Sequence, residues 1–102
     1  MSIFERIQSG EKALAQSLSS EGIGDLNGFL ERALVSFLNG ENVSSHEKQL
    51  INFVISRSAS LGDKIREFKS LRGEKPEKYV SSWVYRSDVS DILTQLALKM
   101  TE

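Results

Sequence analysis

The chain holds one histidine, His46, and no cysteine. Nucleophilic or general acid–base chemistry needs an activated side chain and a partner that orients it. Glu47 follows His46 directly, and neighbouring helical residues do not face one another, so the pair cannot converge on one metal ion or one proton. His46 is therefore expected to face solvent in a first helical turn. Asp88 and Asp91 are three residues apart and can share a helical face, where first-turn acids complement the helix dipole without any catalytic role. No serine has a nucleophile-elbow context, and the glycines form no phosphate loop. With no thiol and one unsupported imidazole, no catalytic constellation assembles. The expectation is a protein that is not an enzyme and takes no metal or other cofactor.

A second group of residues points to binding. Residues 63–86 hold seven Lys/Arg against four Asp/Glu, net +3, while residues 1–62 and 87–102 are each net −2. Lys64, Arg66, Lys69, Arg72, Lys75, Lys78 and Arg86 share this section with Tyr79, Trp83 and Tyr85. Tyrosine, tryptophan and arginine are the side chains that most often anchor protein interfaces. The partner-binding candidates are Arg66, Lys69, Arg72, Tyr79, Trp83 and Tyr85. Cations interleaved with aromatics can also hold phosphates and stack on bases, so the basic corner 64–86 offers nucleic-acid binding as the alternative. Asp63, Glu67, Glu74 and Glu77 dilute the positive field and count against phosphate contact. A solvated helical face with Tyr79 and Trp83 in the core is the plain structural explanation of the same residues.

Helices must position these groups. Ile51, Val54, Ser58, Leu61, Ile65, Phe68 and Arg72 recur at three- and four-residue steps, and Leu50, Ile55 and Leu71 widen the stripe. This pattern predicts one long helix over residues 45–72, roughly 42 Å at 1.5 Å per residue. Ser44 and Glu47 have capping-box spacing at its start, and Gly73 followed by Pro76 supplies its stop. Gly62 inside it is expected to mark close packing or a mild bend rather than a break. Phe53 lies off the main stripe and is read as core.

Before it, a helix is expected from Ser2 to about Ser19, with Ile3, Ile7, Gly10, Leu14 and Leu18 on one side and Phe4 beside them. Asp25 can cap a second helix, in which Leu26, Phe29, Leu30, Ala33, Leu34, Phe37 and Leu38 repeat at helical spacing up to Asn39-Gly40. After Gly73, Pro76 suits the first position of a further helix carrying Tyr79, Val80, Trp83 and Val84. Tyr79–Tyr85 has strand-like composition, but no partner strand exists in the chain, so helix is preferred. Ser87-Asp88 reads as a fresh cap before Val89, Ile92, Leu93, Leu96, Ala97 and Met100. Residues 76–101 are thus two helices or one kinked helix. The segment from Ala33 to Arg57 is a poor helix-turn-helix, because its second helix is too apolar for an exposed recognition helix.

The fold class expected is all-α: an antiparallel bundle of four to five helices around the long central helix, as a single helical domain over residues 1–102. At 102 residues and 39% hydrophobic content a modest core is available. No apolar run approaches the ~20 residues needed to cross a bilayer. With no signal-type segment and no cysteine, a cytoplasmic location is expected. The function expected is a small protein-binding regulator of inhibitor, immunity, anti-defence or chaperone type, which occludes the surface of another protein. The apolar surplus also permits a homodimer, while no membrane contact is expected.

Overall fold

In the computed structural model, which describes residues 3–101 and side chains from residue 10 onward, every regular element is a helix. These are α1 (Ile3–Ser20), α2 (Leu26–Leu38), α3 (Ser45–Arg57), α4 (Ala59–Ser70), α5 (Glu77–Val84) and α6 (Ser87–Met100). The fold is an all-α helical bundle. Ile3, Phe4 and Ile7 lie outside the residues whose side chains are described.

Local side-chain chemistry sets several helix ends. The Asp25 carboxylate accepts from the Gly28 amide at 3.1 Å and opens α2. Ser44 and Glu47 make the reciprocal capping box at the start of α3: Glu47 N–H donates to Ser44 Oγ at 3.2 Å, and Ser44 N–H to Glu47 Oε1 at 2.9 Å. Each satisfies an amide that has no intrahelical partner. After α4 the chain turns through Gly73 at φ +78°, a left-handed conformation that glycine adopts without a Cβ clash. Pro76 then precedes α5 with helical angles, and its carbonyl accepts from Tyr79 and Val80.

The expected long helix is corrected. Residues 45–70 form two helices, not one, and the break lies at Ser58 rather than at Gly62. Ser58 has extended angles, φ −126° and ψ 97°, and serves as the C-cap of α3 and the N-cap of α4. Its Oγ accepts from the Leu61 amide at 3.3 Å. A cap of this kind stabilises a new helix start by about 1 kcal/mol. Gly62 lies within α4 and is regular. Splitting the rod, and separating α5 from α6, makes six helices among the described residues where four to five were expected.

The core runs through all six helices. Leu18 of α1, Leu30 and Leu34 of α2, Leu50 and Val54 of α3 and Leu61 of α4 are fully buried. So are Val80 and Val84 of α5 and Val89, Leu93 and Leu96 of α6. Each such side chain contributes roughly 1.5–3 kcal/mol of burial free energy. α1 lies along α6 and α3, and α2 lies along α3 and α5. α4 packs closely against α3 and reaches the rest of the bundle chiefly through side chains. Among the described residues no helix is long and apolar enough to cross a membrane.

Candidate functional site at the α4–α5 corner

Gly73 and Pro76 bring the end of α4 against the start of α5, and three aromatic rings close the corner. The ring of Phe68 from α4 meets Tyr79 edge-on at 5.5 Å and Trp83 at 6.1 Å, and Tyr79 and Trp83 are 6.5 Å apart. Edge-to-face pairs at these distances are favourable beyond their burial. Tyr79 and Trp83 lie one turn apart on α5, so Phe68 inserts against both.

This geometry sorts the six candidate anchors. Trp83 is 6% exposed and belongs to the core, presenting only part of its surface to a small cleft. Tyr79 is half-buried beside it. Burial, and then the neighbouring Glu74 carboxylate, raise the pKa of the Tyr79 hydroxyl above its ordinary value. Tyr85 is 57% exposed at the C-cap of α5 and stands outside the aromatic cluster. Arg66 is exposed and ion-paired to Asp63 one turn earlier. Arg72 is exposed in the turn after α4. Lys69 projects across to α2, where its Nζ lies 4.9 Å from the centre of the Phe37 ring. The structure therefore brings Tyr79 and Trp83 together against Phe68, turns Lys69 to Phe37 of α2, and leaves Tyr85 outside the cluster.

Two large apolar residues that were not singled out as anchors are also exposed. Phe37, expected in the stripe of α2, is 39% exposed, and Leu71, expected to widen the α3–α4 stripe, is 48% exposed. Phe37 belongs to the last turn of α2, beyond the buried positions Leu30, Ala33 and Leu34. A stripe that runs to the very end of its helix is the sequence signal for such an overhang. Beside Leu71 is a cleft of about 170 Å³ lined by Lys64, Glu67, Phe68, Leu71, Tyr79 and Trp83. Its apolar floor and charged rim can accept one apolar side chain with a polar neighbour. Glu67 on the rim and the Arg66–Asp63 pair reduce the net positive field there, which weakens the corner for phosphate.

Other polar clusters tie helices together. Asn39 Nδ2 donates to Glu77 Oε1 at 3.2 Å, linking the end of α2 to the start of α5. A hydrogen bond from its own backbone amide and this one from Asn39 lower the pKa of Glu77. Asn27 Nδ2 donates to the Val84 carbonyl at 3.3 Å. The expected Ser87-Asp88 cap is not made: Arg86 occupies the N-cap position of α6 without a side-chain capping bond. Asp88 turns instead to the α3–α4 break, where Oδ2 accepts from Ser58 Oγ at 2.9 Å and Ser60 Oγ at 2.7 Å. Arg86 Nε donates to its Oδ1 at 3.3 Å. The Ser60 and Ser58 hydroxyls, with Arg86, pull the pKa of Asp88 down to about 2.

His46 does not face solvent as expected. It is half-buried, and its Nε2 shares a 2.6 Å hydrogen bond with Ser17 Oγ of α1. Among the described residues no carboxylate bonds to the imidazole, so the third member of a nucleophilic relay is missing there. Phe53 is half-buried against the core with the Arg57 guanidinium 3.9 Å above its ring. It lines a broader open groove of about 720 Å³ between α1 and α3.

No protein-family model matches the chain, and searches of curated proteins and of solved structures return no significant match.

Proposed function

We propose that this chain is a small, non-enzymatic regulator of the cytoplasm that binds another protein and occludes part of its surface. The α4–α5 corner is the binding face. The observation that supports this reading is half-exposed Leu71 beside the aromatic cleft, with a second half-exposed apolar side chain, Phe37, against Lys69 on the other flank of the same end of α4. Large apolar side chains gathered at a rim of mixed charge are what a protein interface uses at its centre. Inhibitor, immunity, anti-defence and chaperone roles all operate through such contact.

The test uses exposed residues, because loss of Trp83 would damage the core. The immobilised chain is incubated with extract of its native host, alongside a folded Phe37→Ser, Lys69→Glu, Leu71→Ser variant. The native chain should retain a protein that the variant does not, at equal helical circular dichroism. Capture that survives the triple substitution assigns the face wrongly. Capture that is abolished by nuclease and falls steeply with salt would favour nucleic acid instead.

A further inference from the structure

The eight buried positions that flank the α3–α4 break are Leu50, Ile51, Val54, Ser58, Leu61, Gly62, Ile65 and Phe68. At 100° per residue they fall within about 120° of arc on one uninterrupted helix. The break therefore does not shift the phase of the apolar stripe. The same residues would face the same way on a single straight rod of residues 45–70.

The preference for the broken form rests on a few polar atoms. A one-residue interruption removes the bonds that amides 59–61 would make to carbonyls 55–57. Ser58 Oγ replaces one of them by accepting from Leu61. The remaining compensation comes from Asp88, which holds both the Ser58 and Ser60 hydroxyls. Without that carboxylate and that cap, residues 57–60 are free to continue the helix.

The break also divides the molecule in a particular way. α1–α3 precede it and α4–α6 follow it, and most of the packing crosses between these halves: α1 on α6, α2 on α5 and α6, and α3 on α6 and α4. Each half thus buries its apolar faces mainly on the other half. If α3 and α4 join, the surface complementary to the uncovered α1–α3 face is the α4–α6 half of another copy.

We propose that this chain exchanges its α4–α6 half with a second copy of itself, forming a dimer in which residues 45–70 of each chain are one continuous helix. The helix packing between the halves is remade across chains, and what is given up is the Ser58 cap and its bond to Asp88. Such an exchange needs no new interface chemistry, which is why a hinge of this kind is a low-cost route to a dimer.

Light scattering after size exclusion tests this with three variants. Ser58→Ala removes the cap and one bond to Asp88, while Asp88→Asn removes the charge that holds both hydroxyls. Ala59→Pro fixes the break, because proline suits the first position of α4 and cannot continue a helix from α3. Measured at about 0.5 mM, where mass action favours association, Ser58→Ala should raise the dimer association constant about tenfold or more. Asp88→Asn should raise it less, and adding Ala59→Pro to either should restore the monomer. The pair Asn39→Cys and Glu77→Cys, placed across the halves where those side chains now meet at 3.2 Å, reports the arrangement. Bridged by a short bis-maleimide, it should give covalently linked dimers in Ser58→Ala and single linked chains in Ala59→Pro. The proposal is overturned if neither folded hinge variant dimerises, or if dimers form whose cross-links remain within one chain.

Discussion

α3 and α4 carry one apolar stripe, yet they live in different surroundings. α3 is enclosed by α1, α2, α4 and α6, with Leu50 and Val54 fully buried. α4 has α3 as its close neighbour and holds on to the bundle through Leu61, Ile65 and Phe68. The amphipathic pattern that puts α3 in the middle of the core puts α4 at its margin, with Lys64, Arg66 and Lys69 toward solvent or the cleft. The difference teaches that periodicity tells which face of a helix is covered, but not how many neighbours do the covering. Stability is concentrated around α3. The surface we propose for a partner is at the end of α4.

Paired truncations break or sharpen this contrast most strongly. Leu50→Ala in α3 should destabilise the chain by about 4 kcal/mol, because a site enclosed on all sides cannot collapse onto the cavity. Phe68→Ala in α4 should cost about 3 kcal/mol or less, since the outlying helix can settle into the space. Urea unfolding gives both numbers, and the emission of Trp83, the single tryptophan, should shift to the red in Phe68→Ala alone. Equal costs with no such shift would remove the distinction between the helices.

Acid separates the break from the rest of the core by a smaller amount. The Asp88 carboxyl titrates at about 2 in the folded chain against 3.8 ordinarily. A carboxylate with a lowered folded pKa contributes stability that is complete above its unfolded value and fades as pH falls from about 4 toward 2. The side chain is 42% exposed, so the contribution is discounted for solvent screening to about 1 kcal/mol. Asp88→Asn should remove that part of the acid sensitivity, while Glu77, shifted in the same direction at the α2–α5 contact, keeps its own. The pH dependence of urea midpoints between 5 and 2 reads the effect.

The smallest expected effect has the opposite sign. A Cβ at Gly62 would lie 3.7 Å from Ile55 Cγ2 and 3.8 Å from Arg66 Nη1, ordinary contact distances. Gly62→Ala should therefore stabilise α4 by about 0.5–1 kcal/mol. If it destabilises instead, Gly62 is a point of close approach after all.

What could be read in the sequence was what depends on near neighbours. Asp25, the Ser44–Glu47 box, the Asn39-Gly40 stop and the Gly73 turn act within a few residues, and each appears where spacing places it. The Ser58 break could not be read the same way, because it is held by Asp88, 30 residues further on. A serine inside an apolar stripe was its one local mark. Trp83 and Tyr79 were ambiguous for a similar reason: the ring that packs edge-on against Trp83 is Phe68, which arrives from α4. The exposure of Phe37 and Leu71 is likewise a matter of where neighbouring helices end.

Native-state hydrogen exchange measures the contrast between α3 and α4 most directly. Amides of α3 around Leu50–Val54 should exchange only through global unfolding. Amides of α4 around Ile65–Phe68 should exchange about 10- to 100-fold faster, through an opening that leaves α3 intact. Equal protection in the two helices, falling together as denaturant is added, would contradict the account.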